Sequence, residues 1–328
     1  MNRRYEFVSG TAAAVGLTIL ILDGKTALLG AVEGVSLCLN TLIPTLFPFF
    51  FLSNILTASL MGRKIPFLRP VGRLCRISEG AEYILLTGFL GGYPLGARAI
   101  SQACESGTLS QRDARRMLAF CNNCGPAFLF GISGALFDDP KIPWLIFGIH
   151  VLSAIIVALV LPGEPERCVS EIRRSITAVQ ALWNSVRSVA GVCGWVVLFR
   201  TALAVMERWF LWYLPTEAQV IISGILELSN GCISLAAIDN VRLRLLLCVG
   251  FLSFGGLCVT MQTYSVGTGL DKSLYFPGKV LQTVVSLFLG CLICAPKWSV
   301  VPFGLALMLG IFLRKREIRC RNPVKLVV

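Results

Sequence analysis

The chain of 328 residues is 55% hydrophobic and 15% charged, and its mean hydropathy is +0.74. Soluble domains carry about 25% charged residues, so this chain has too little polar surface to fold in water. Its charges fall in clusters that long apolar stretches separate, which is the pattern of a helix bundle in lipid. The composition therefore predicts an integral membrane protein.

The net charge of +12 also permits a nucleic-acid partner. The lysines and arginines, however, lie in short loops between apolar segments and do not form a face with interleaved aromatic residues. Cytoplasmic loops of membrane proteins carry this kind of charge. We therefore expect the lipid bilayer, and no nucleic acid, as the partner of the basic residues.

The chain has thirteen cysteines. Disulfide frameworks belong to short secreted chains, whereas most of these cysteines lie in apolar runs, where Cys acts as a small hydrophobic residue. We interpret them as reduced packing residues. The clearest cases are Cys38, Cys193, Cys248, Cys258, Cys291 and Cys294.

Apolar runs predict eight membrane-spanning helices. Their ranges are 7–22, 39–61, 116–137, 143–162, 188–213, 245–267, 280–295 and 299–313. The first run follows Arg3 and Arg4 as in a signal peptide, but no small-residue cleavage site comes after it, so we expect an uncleaved helix with a cytoplasmic N-terminus. The stretches 25–38 and 165–187 are predicted as helices that lie at a membrane surface.

Two further apolar segments, 80–108 and 216–241, could each cross the membrane once or return to the side from which they enter. The lysines and arginines distinguish these topologies. With two hairpins, 23 of the 30 Lys and Arg residues lie in the cytoplasm and 6 lie outside. With two full crossings this asymmetry largely disappears, so the positive-inside rule favours re-entrant hairpins and a cytoplasmic C-terminus.

The order of elements then occurs twice: a surface helix, a span, a hairpin, a broken span and a further span. The first hairpin enters from the cytoplasm and the second from outside, so the halves are inverted relative to each other. The predicted fold is all-α and integral to the membrane, with two inverted repeats that each contain a re-entrant hairpin and a broken transmembrane helix. Its predicted divisions are an N-terminal transmembrane helix (1–24), a first repeat (25–162), a second repeat (163–297), and a last helix with a basic cytoplasmic tail (298–328).

The sequence GFLGGYPLGARAI, residues 88–100, interrupts the first hairpin. Three of its glycines are four residues apart, a spacing that is also typical of a small-residue face for close helix packing. Gly91, Gly92 and Pro94 favour a chain reversal instead. We predict an unwound hairpin tip here, followed by the charge of Arg98.

The sequence FCNNCGPAF, residues 120–128, lies within a predicted span. Cys121 and Cys124 form a C-x-x-C pair, which suggests metal or redox chemistry. A metal site needs further ligands, and the chain has one histidine, His150, and no second such pair, so we expect neither a metal nor a cofactor. The polar and helix-breaking residues 122–126 predict a helix that is interrupted at mid-membrane, where a bound solute can satisfy its free backbone groups.

The sequence LELSNG, residues 226–231, places Glu227 within the membrane at the middle of the second hairpin. An acidic residue there costs about 2.5–3.5 kcal/mol on insertion scales, so Glu227 is a functional candidate. Two interpretations remain open. Glu227 is either a coupling site for H⁺ or Na⁺, or a structural carboxylate that pairs with an embedded base such as Arg200.

The sequence GFLSFGGLCVTMQ, residues 250–262, occupies in the second half the place of 122–126 in the first. Glycine packing alone does not explain Gln262, so we predict a second broken span. Lys279 follows in YFPGK and is expected at the cytoplasmic mouth of a span, where a lysine can reach the interface by snorkelling.

With IPTLFPFFFLSNIL (43–56), these motifs resemble the sporulation integral membrane proteins of the YlbJ type. That family belongs to the Gate, or nucleoside-recognition, group and is related in architecture to concentrative nucleoside transporters. The resemblance extends in order from Leu37 to Leu292. It implies an endospore-forming bacterium and a role in the mother cell, where dipicolinate moves toward the forespore. Arg98 replaces an expected lysine and keeps its charge, whereas Cys121 and Cys124 replace expected hydroxyl residues and alter contacts to the solute.

We therefore expect a secondary-type transporter of a small organic anion, with dipicolinate implied by the resemblance. A transporter of nucleosides or other small solutes and a structural membrane protein of sporulation are the alternatives. No enzyme activity is expected, because no base and nucleophile can be placed beside His150. A coupling ion, H⁺ or Na⁺, and self-association are compatible with this interpretation.

The expected site is positively charged, since broken helices expose their N-terminal ends and Arg98 adds a planar cation that suits carboxylates. A flat aromatic solute could rest on Tyr93 or Phe128. The expected substrate-binding residues are Gly91, Gly92, Tyr93, Pro94, Gly96, Arg98, Asn122, Asn123, Gly125, Pro126, Ser229, Asn230, Gly231, Ser253, Gly255, Gly256, Gln262 and Lys279.

Overall fold

The computed structural model describes residues 3–163, 176–266 and 269–321, and every regular element within these ranges is a helix. We number the α-helices in chain order. They are α1 (Arg3–Leu22), α2 (Gly24–Leu37), α3 (Ile43–Leu60), α4 (Arg69–Leu74), α5 (Tyr83–Leu90), α6 (Leu95–Glu105), α7 (Gln111–Leu118), α8 (Pro126–Leu136), α9 (Lys141–Val160), α10 (Ala178–Trp209), α11 (Thr216–Leu226), α12 (Leu228–Ser234), α13 (Val241–Phe254), α14 (Gly256–Tyr264), α15 (Tyr275–Cys294) and α16 (Val300–Arg321).

Six helical segments of the described chain are long and apolar enough to cross a membrane, which makes this a multi-pass membrane protein, as predicted. They are Gly24–Leu60, Lys141–Val160, Ala178–Trp209, Val241–Tyr264, Tyr275–Cys294 and Pro296–Ile318. The predicted broken span 116–137 consists of two separate short helices, α7 and α8, and is not among the six. In α1, Ala13–Leu22 is a shorter apolar segment. Whether α1 crosses the membrane stays a prediction.

The predicted surface helix 25–38 is not a separate element. It continues into the next span through a π-helical turn at Cys38–Leu42, so that Gly24–Leu60 is one helix of 37 residues. Pro44 lacks a backbone N–H and its ring crowds the preceding turn, and the wider π turn accommodates both. At 1.5 Å per residue this helix is about 55 Å long, against about 30 Å of hydrocarbon, so it either tilts strongly or extends beyond the bilayer.

The second long helix is α10. Thr177 begins it with a capping box, in which the Thr177 side chain accepts a hydrogen bond from Gln180 N and the Gln180 side chain accepts one from Thr177 N. The predicted boundary between a surface helix 165–187 and a span that starts at 188 is wrong, because α10 is continuous across it. The rest of that predicted surface helix, in 164–175, lies outside the described residues.

The α10 helix runs antiparallel to the α2–α3 helix along its whole length. At one end Trp209 donates to Asp23 over 3.0 Å, and at the other Asn54 donates to Ser185 over 3.0 Å. The two helices therefore form a long pair, against which the shorter helices pack.

Two pairs of short helices, α5–α6 and α11–α12, form helical hairpins. The segments before and after the first pair meet, because Ser78 donates to Asp113 over 3.2 Å. In the second pair the helices pack so closely that a β-carbon added to Gly231 would lie 2.1 Å from the Gly224 Cα. Each of these pairs therefore reverses the direction of the chain.

Each hairpin is followed by a helix that is interrupted within the protein. Residues 119–125 are unwound between α7 and α8. Between α13 and α14 the chain turns at Gly255 and Gly256, with φ of +80° and +79°. Residues with a side chain rarely adopt this conformation, so both positions require glycine. The interruptions coincide with the predicted motifs.

One end of the bundle, which we call the arginine-rich end, is held by ion pairs between loops and helices. Arg69 pairs with Glu82 at 2.6 Å, and Arg115 pairs with Asp271 at 3.4 Å and also with Glu317. The hydrogen bond from Ser78 to Asp113 connects these two groups of ion pairs on one side of the bundle.

The opposite end presents exposed aromatic side chains. They are Trp144, Phe210, Trp212, Tyr213 and Trp298. Trp and Tyr are enriched where a membrane meets water, so this group of aromatic residues is typical of a membrane interface.

Candidate functional site

The first hairpin turn and the first helix interruption are in direct backbone contact. A β-carbon added to Gly88 or Gly96 would lie 1.8 or 2.1 Å from the Cys121 carbonyl oxygen. Gly92, with φ of +78°, packs against Gly125: a β-carbon added to Gly92 would lie 2.9 Å from the Gly125 nitrogen. The glycines spaced by four therefore serve close packing at Gly88 and Gly96, and chain reversal at Gly92.

The second half of the chain joins the same region. A β-carbon on Gly255 would lie 3.1 Å from Cζ of Tyr93, and one on Gly256 would lie 3.2 Å from the nitrogen of Leu228. The Tyr93 hydroxyl donates to the carbonyl oxygen of Leu252 over 3.4 Å. The four motifs thus form one contiguous region, which we call the central junction and which comprises residues 88–96, 119–126, 226–231 and 250–262.

Lys279 is fully buried against the central junction and does not lie at an open mouth, which corrects the prediction. Its ammonium donates to the carbonyl oxygen of Asn122 (3.2 Å), to Asn123 Oδ1 (3.4 Å) and to Gln282 Oε1 (2.6 Å). It also lies 5.1 Å from the centre of the Tyr93 ring. Snorkelling is unnecessary because the unwound segment supplies oxygen acceptors inside the protein.

Asn122 and Asn123 connect the unwound segment to both halves of the chain. Asn122 Nδ2 donates to Thr263 Oγ1 over 2.9 Å and to the Tyr275 hydroxyl over 3.3 Å. Asn122 Oδ1 accepts from the nitrogen of Ala97, in the first turn of α6, over 3.2 Å. Both asparagines are fully buried, so these bonds replace the helical bonds that the interruption removes.

His150 on α9 supports the same segment from the other side. Its Nε2 accepts from the backbone nitrogen of Cys124 over 3.2 Å, and its Nδ1 lies 3.3 Å from Ser253 Oγ. Ser253 shares a further hydrogen bond of 2.6 Å with Ser286 on α15. All of these side chains are buried and form a polar network behind the hairpin turns.

Glu227 is buried at the turn between α11 and α12, where its carboxylate accepts from Ser229 N (3.0 Å) and Asn230 N (2.7 Å). The alternative in which Arg200 is its partner is wrong, because Arg200 pairs with Glu33 at 2.5 Å and Glu207 at 3.0 Å. Glu227 thus binds backbone N–H groups at the start of a short helix. No ion pair of Glu227 occurs among the described residues.

Two cavities adjoin the central junction. The larger, of about 380 Å³, lies between α6, α10 and the end of α14, and we call it the vestibule. The smaller, of about 50 Å³, lies between the two hairpin turns and is lined by Gly92, Tyr93 and Glu227. Val192 and Gln262 line both cavities, so they separate the vestibule from the space between the turns.

The predicted site residues divide into two groups. Those that line a cavity are Gly92, Tyr93, Pro94, Arg98, Gly125, Glu227, Ser229 and Gln262. Those that lie behind the cavity walls are Gly91, Gly96, Asn122, Asn123, Pro126, Asn230, Gly231, Ser253, Gly255, Gly256 and Lys279. In the second group Asn230 stands out, because its buried Nδ2 has no hydrogen-bond partner in the described part of the chain.

Within the described ranges, no group of three or more His, Cys, Asp or Glu side chains is placed to hold a metal ion. The pair Cys121 and Cys124 is buried as free thiols in the unwound segment. That both cysteines lack a redox role remains a prediction.

No family model and no solved structure matched this chain. Among characterised proteins, the chain is similar to the sporulation integral membrane protein YlbJ of Bacillus subtilis strain 168. The two are 24% identical, and the match covers 81% of this chain and 77% of the relative. The predicted resemblance is confirmed.

Sequence reasoning missed several polar contacts of the junction, namely those of Gln282, Ser286 and His150. Gln282 and Ser286 lie three and seven residues after the predicted Lys279 and form one polar stripe with it on the otherwise apolar α15, a signal that was available in the sequence. His150 likewise interrupts the apolar α9. The sequence pattern did not distinguish Arg187 and Trp195, which line the vestibule, from the other surface residues of α10.

Proposed function

We propose that the chain is a secondary-type transporter that moves a small organic anion across a membrane, and that it acts during sporulation. The observation that carries this proposal is the vestibule, whose 380 Å³ is within the range of about 300–1,000 Å³ for small-molecule sites. It is lined by Arg98 and Arg187, and beyond Gln262 it adjoins the space between the hairpin turns. A solute that enters the vestibule would reach the buried turns next.

The surroundings of Arg98 favour an anionic solute. Its Nη1 donates to the carbonyl oxygen of Asn184 over 3.0 Å and to the Ser188 hydroxyl. Both partners are neutral, and no described carboxylate forms an ion pair with Arg98. Glu105 also lines the vestibule and acts on Arg98, so Arg98, Arg187 and Glu105 together leave one net positive charge there, and a carboxylate ligand would stabilise this site more than a neutral solute.

The contacts of the helices support two inverted repeats with re-entrant hairpins. The series from the α2–α3 helix to α9 has the same order of elements as the series from α10 to α15. The first helices of the two series, α2–α3 and α10, run antiparallel, as inversion requires. The interruptions α7–α8 and α13–α14 correspond in this alignment. Midplane sites in such transporters lie where interrupted helices meet.

The clustering of loops supports the proposed sidedness. Segments that the positive-inside rule assigns to the cytoplasm contact one another at the arginine-rich end, as the pairs of Arg115 with Glu317 and Asp271 illustrate. We therefore propose that this end, the N-terminus and the C-terminus face the cytoplasm. The tail beyond Arg321 lies outside the described residues.

Dipicolinate is the solute that we propose first, because the family resemblance implies it and its two carboxylates suit the two arginines of the vestibule. A neutral nucleoside is the competing solute, since the wider Gate group suggests it. We further propose that the chain has no enzyme activity. His150 does contact Ser253, but neither side chain lines either cavity, so a solute there would not reach them.

The test is a binding comparison on the purified protein in detergent. Dipicolinate should raise the Tm of the wild type, and uridine should not. The Arg98→Ala variant should lose most of the response, whereas Arg63→Ala, which removes an exposed arginine outside the vestibule, should keep it. A response to uridine that is independent of Arg98 would contradict the anion proposal.

A further inference from the structure

The environment of Lys279 has the composition of a cation site. The three acceptors of its ammonium are a backbone carbonyl from the unwound segment and two side-chain amide oxygens, those of Asn123 and Gln282. Unwound backbone carbonyls and amide oxygens at a helix interruption are the ligands that bind Na⁺ and K⁺ in membrane proteins. In this protein the Lys279 ammonium occupies the position between the three oxygen atoms where such a cation would bind.

The hydrogen bonds around the site fix which amide atoms face the ammonium. Asn123 Nδ2 donates to the carbonyl oxygen of Phe120 over 2.7 Å, so its Oδ1 faces Lys279. Gln282 Nε2 donates to Asn123 Oδ1 over 3.0 Å, so its Oε1 also faces Lys279. Three oxygen acceptors match the three N–H donors of a protonated amine.

In the described part of the chain, no carboxylate pairs with Lys279. The side chain is also fully buried. The face of the Tyr93 ring, 5.1 Å away, completes its surroundings with the negative side of an aromatic quadrupole. Oxygen dipoles and one ring, without a carboxylate, form a cage for a single monovalent cation.

We propose that the ammonium of Lys279 is a built-in cation that occupies a monovalent-cation site at the first helix interruption, and that its removal turns this position into a binding site for a free cation. The wild type would then need no Na⁺ or K⁺ to hold the unwound segment together. The contact distances of 2.6 to 3.4 Å are those of ammonium hydrogen bonds, so K⁺ and NH₄⁺ should fit the vacated position better than the smaller Na⁺. This proposal concerns cation occupancy and does not rest on transport.

The test measures the Tm of purified variants in detergent at constant ionic strength, with choline chloride exchanged for KCl or NH₄Cl up to about 0.3 M, since a ligand stabilises the fold by mass action. Lys279→Ala should have a lower Tm than the wild type in choline and should recover by several degrees in KCl or NH₄Cl. The wild type should not respond. Lys279→Met, which fills the space without a charge, should have a lowered Tm that no cation restores.

A second variant covers the case in which Lys279→Ala does not accumulate. Lys279→Ala combined with Gln282→Glu places a carboxylate at the position of the nearest oxygen, so it should accumulate and should show a larger cation response. A folded Lys279→Ala whose Tm is the same in choline, KCl and NH₄Cl would overturn the proposal. So would the failure of both variants to accumulate in any of these salts.

Discussion

The ammonium of Lys279 lies 5.1 Å from the centre of the Tyr93 ring, and this contact joins α15 to the turn of the first hairpin. Tyr93 also lines the small cavity between the hairpin turns. The Tyr93 ring therefore contacts the buried Lys279 ammonium, and the same side chain lines the cavity in which a solute would lie. Any change at Tyr93 should affect both the stability of the central junction and the binding of the solute.

We expect Tyr93→Phe and Tyr93→Leu to differ, because Phe keeps the ring and Leu removes it. The hydroxyl makes one long bond of 3.4 Å to Leu252, so Phe should cost less than about 1 kcal/mol of stability. Leu should cost about 2 kcal/mol more, since it removes a desolvated cation–π contact and leaves a gap. Thermal unfolding in detergent measures both. Equal Tm values for the two variants would contradict a role for the ring.

Gly88→Ala should prevent normal assembly of the first hairpin. The added β-carbon would lie 1.8 Å from the Cys121 carbonyl oxygen, and neither backbone can move without displacing the unwound segment. We expect a loss of several kcal/mol in stability and a much lower amount of protein in the membrane. Gly131→Ala on α8, where no atom lies within 4 Å of the new carbon, is the matched control and should accumulate like the wild type. Normal amounts of Gly88→Ala would show that the hairpin is packed differently.

The residues of the junction should separate into those that support the fold and those that contact the solute. Gln262 lines both cavities and its side-chain nitrogen contacts a sulfur atom of its own helix, so Gln262→Ala should lower uptake at least tenfold while the Tm stays near that of the wild type. Asn123 binds Phe120, Lys279 and Gln282, so Asn123→Ala should lower the Tm as well as uptake. Uptake assays and thermal unfolding on the same preparations test this difference. Wild-type uptake in Gln262→Ala would place the solute path elsewhere.

The sidedness predicts which engineered cysteines an impermeant maleimide can reach in intact cells. Arg73 is exposed at the arginine-rich end, and Glu217 is exposed at the start of α11, near the opposite end. In a background depleted of native cysteines, Glu217→Cys should react from outside, and Arg73→Cys should react only after the cells are opened. Labelling of Arg73→Cys in intact cells would reverse the proposed orientation.

The sequence was sufficient to predict those parts of the fold that local chemistry determines. Apolar runs located the long helices. Gly255, Gly256 and the Asn122–Pro126 stretch marked the interruptions, because glycine permits a positive φ and proline cannot donate a helical hydrogen bond. It did not indicate that the segment 25–38 and the span 39–61 form one helix, which continues through a π turn at Cys38–Leu42. Lys279 was placed at a membrane surface because periodicity says nothing about acceptors that come from residues 122 and 123, more than 150 positions away.

The central claim is that the vestibule carries a carboxylate solute past Arg98 toward the hairpin turns. The most direct measurement is uptake of labelled dipicolinate and labelled uridine into proteoliposomes that contain the wild type, Arg98→Ala or the control Arg63→Ala. The account predicts uptake of dipicolinate by the wild type and by Arg63→Ala, a reduction of at least tenfold in Arg98→Ala, and no uptake of uridine above empty liposomes. Uptake of uridine that the Arg98→Ala substitution leaves unchanged, without uptake of dipicolinate, would contradict it.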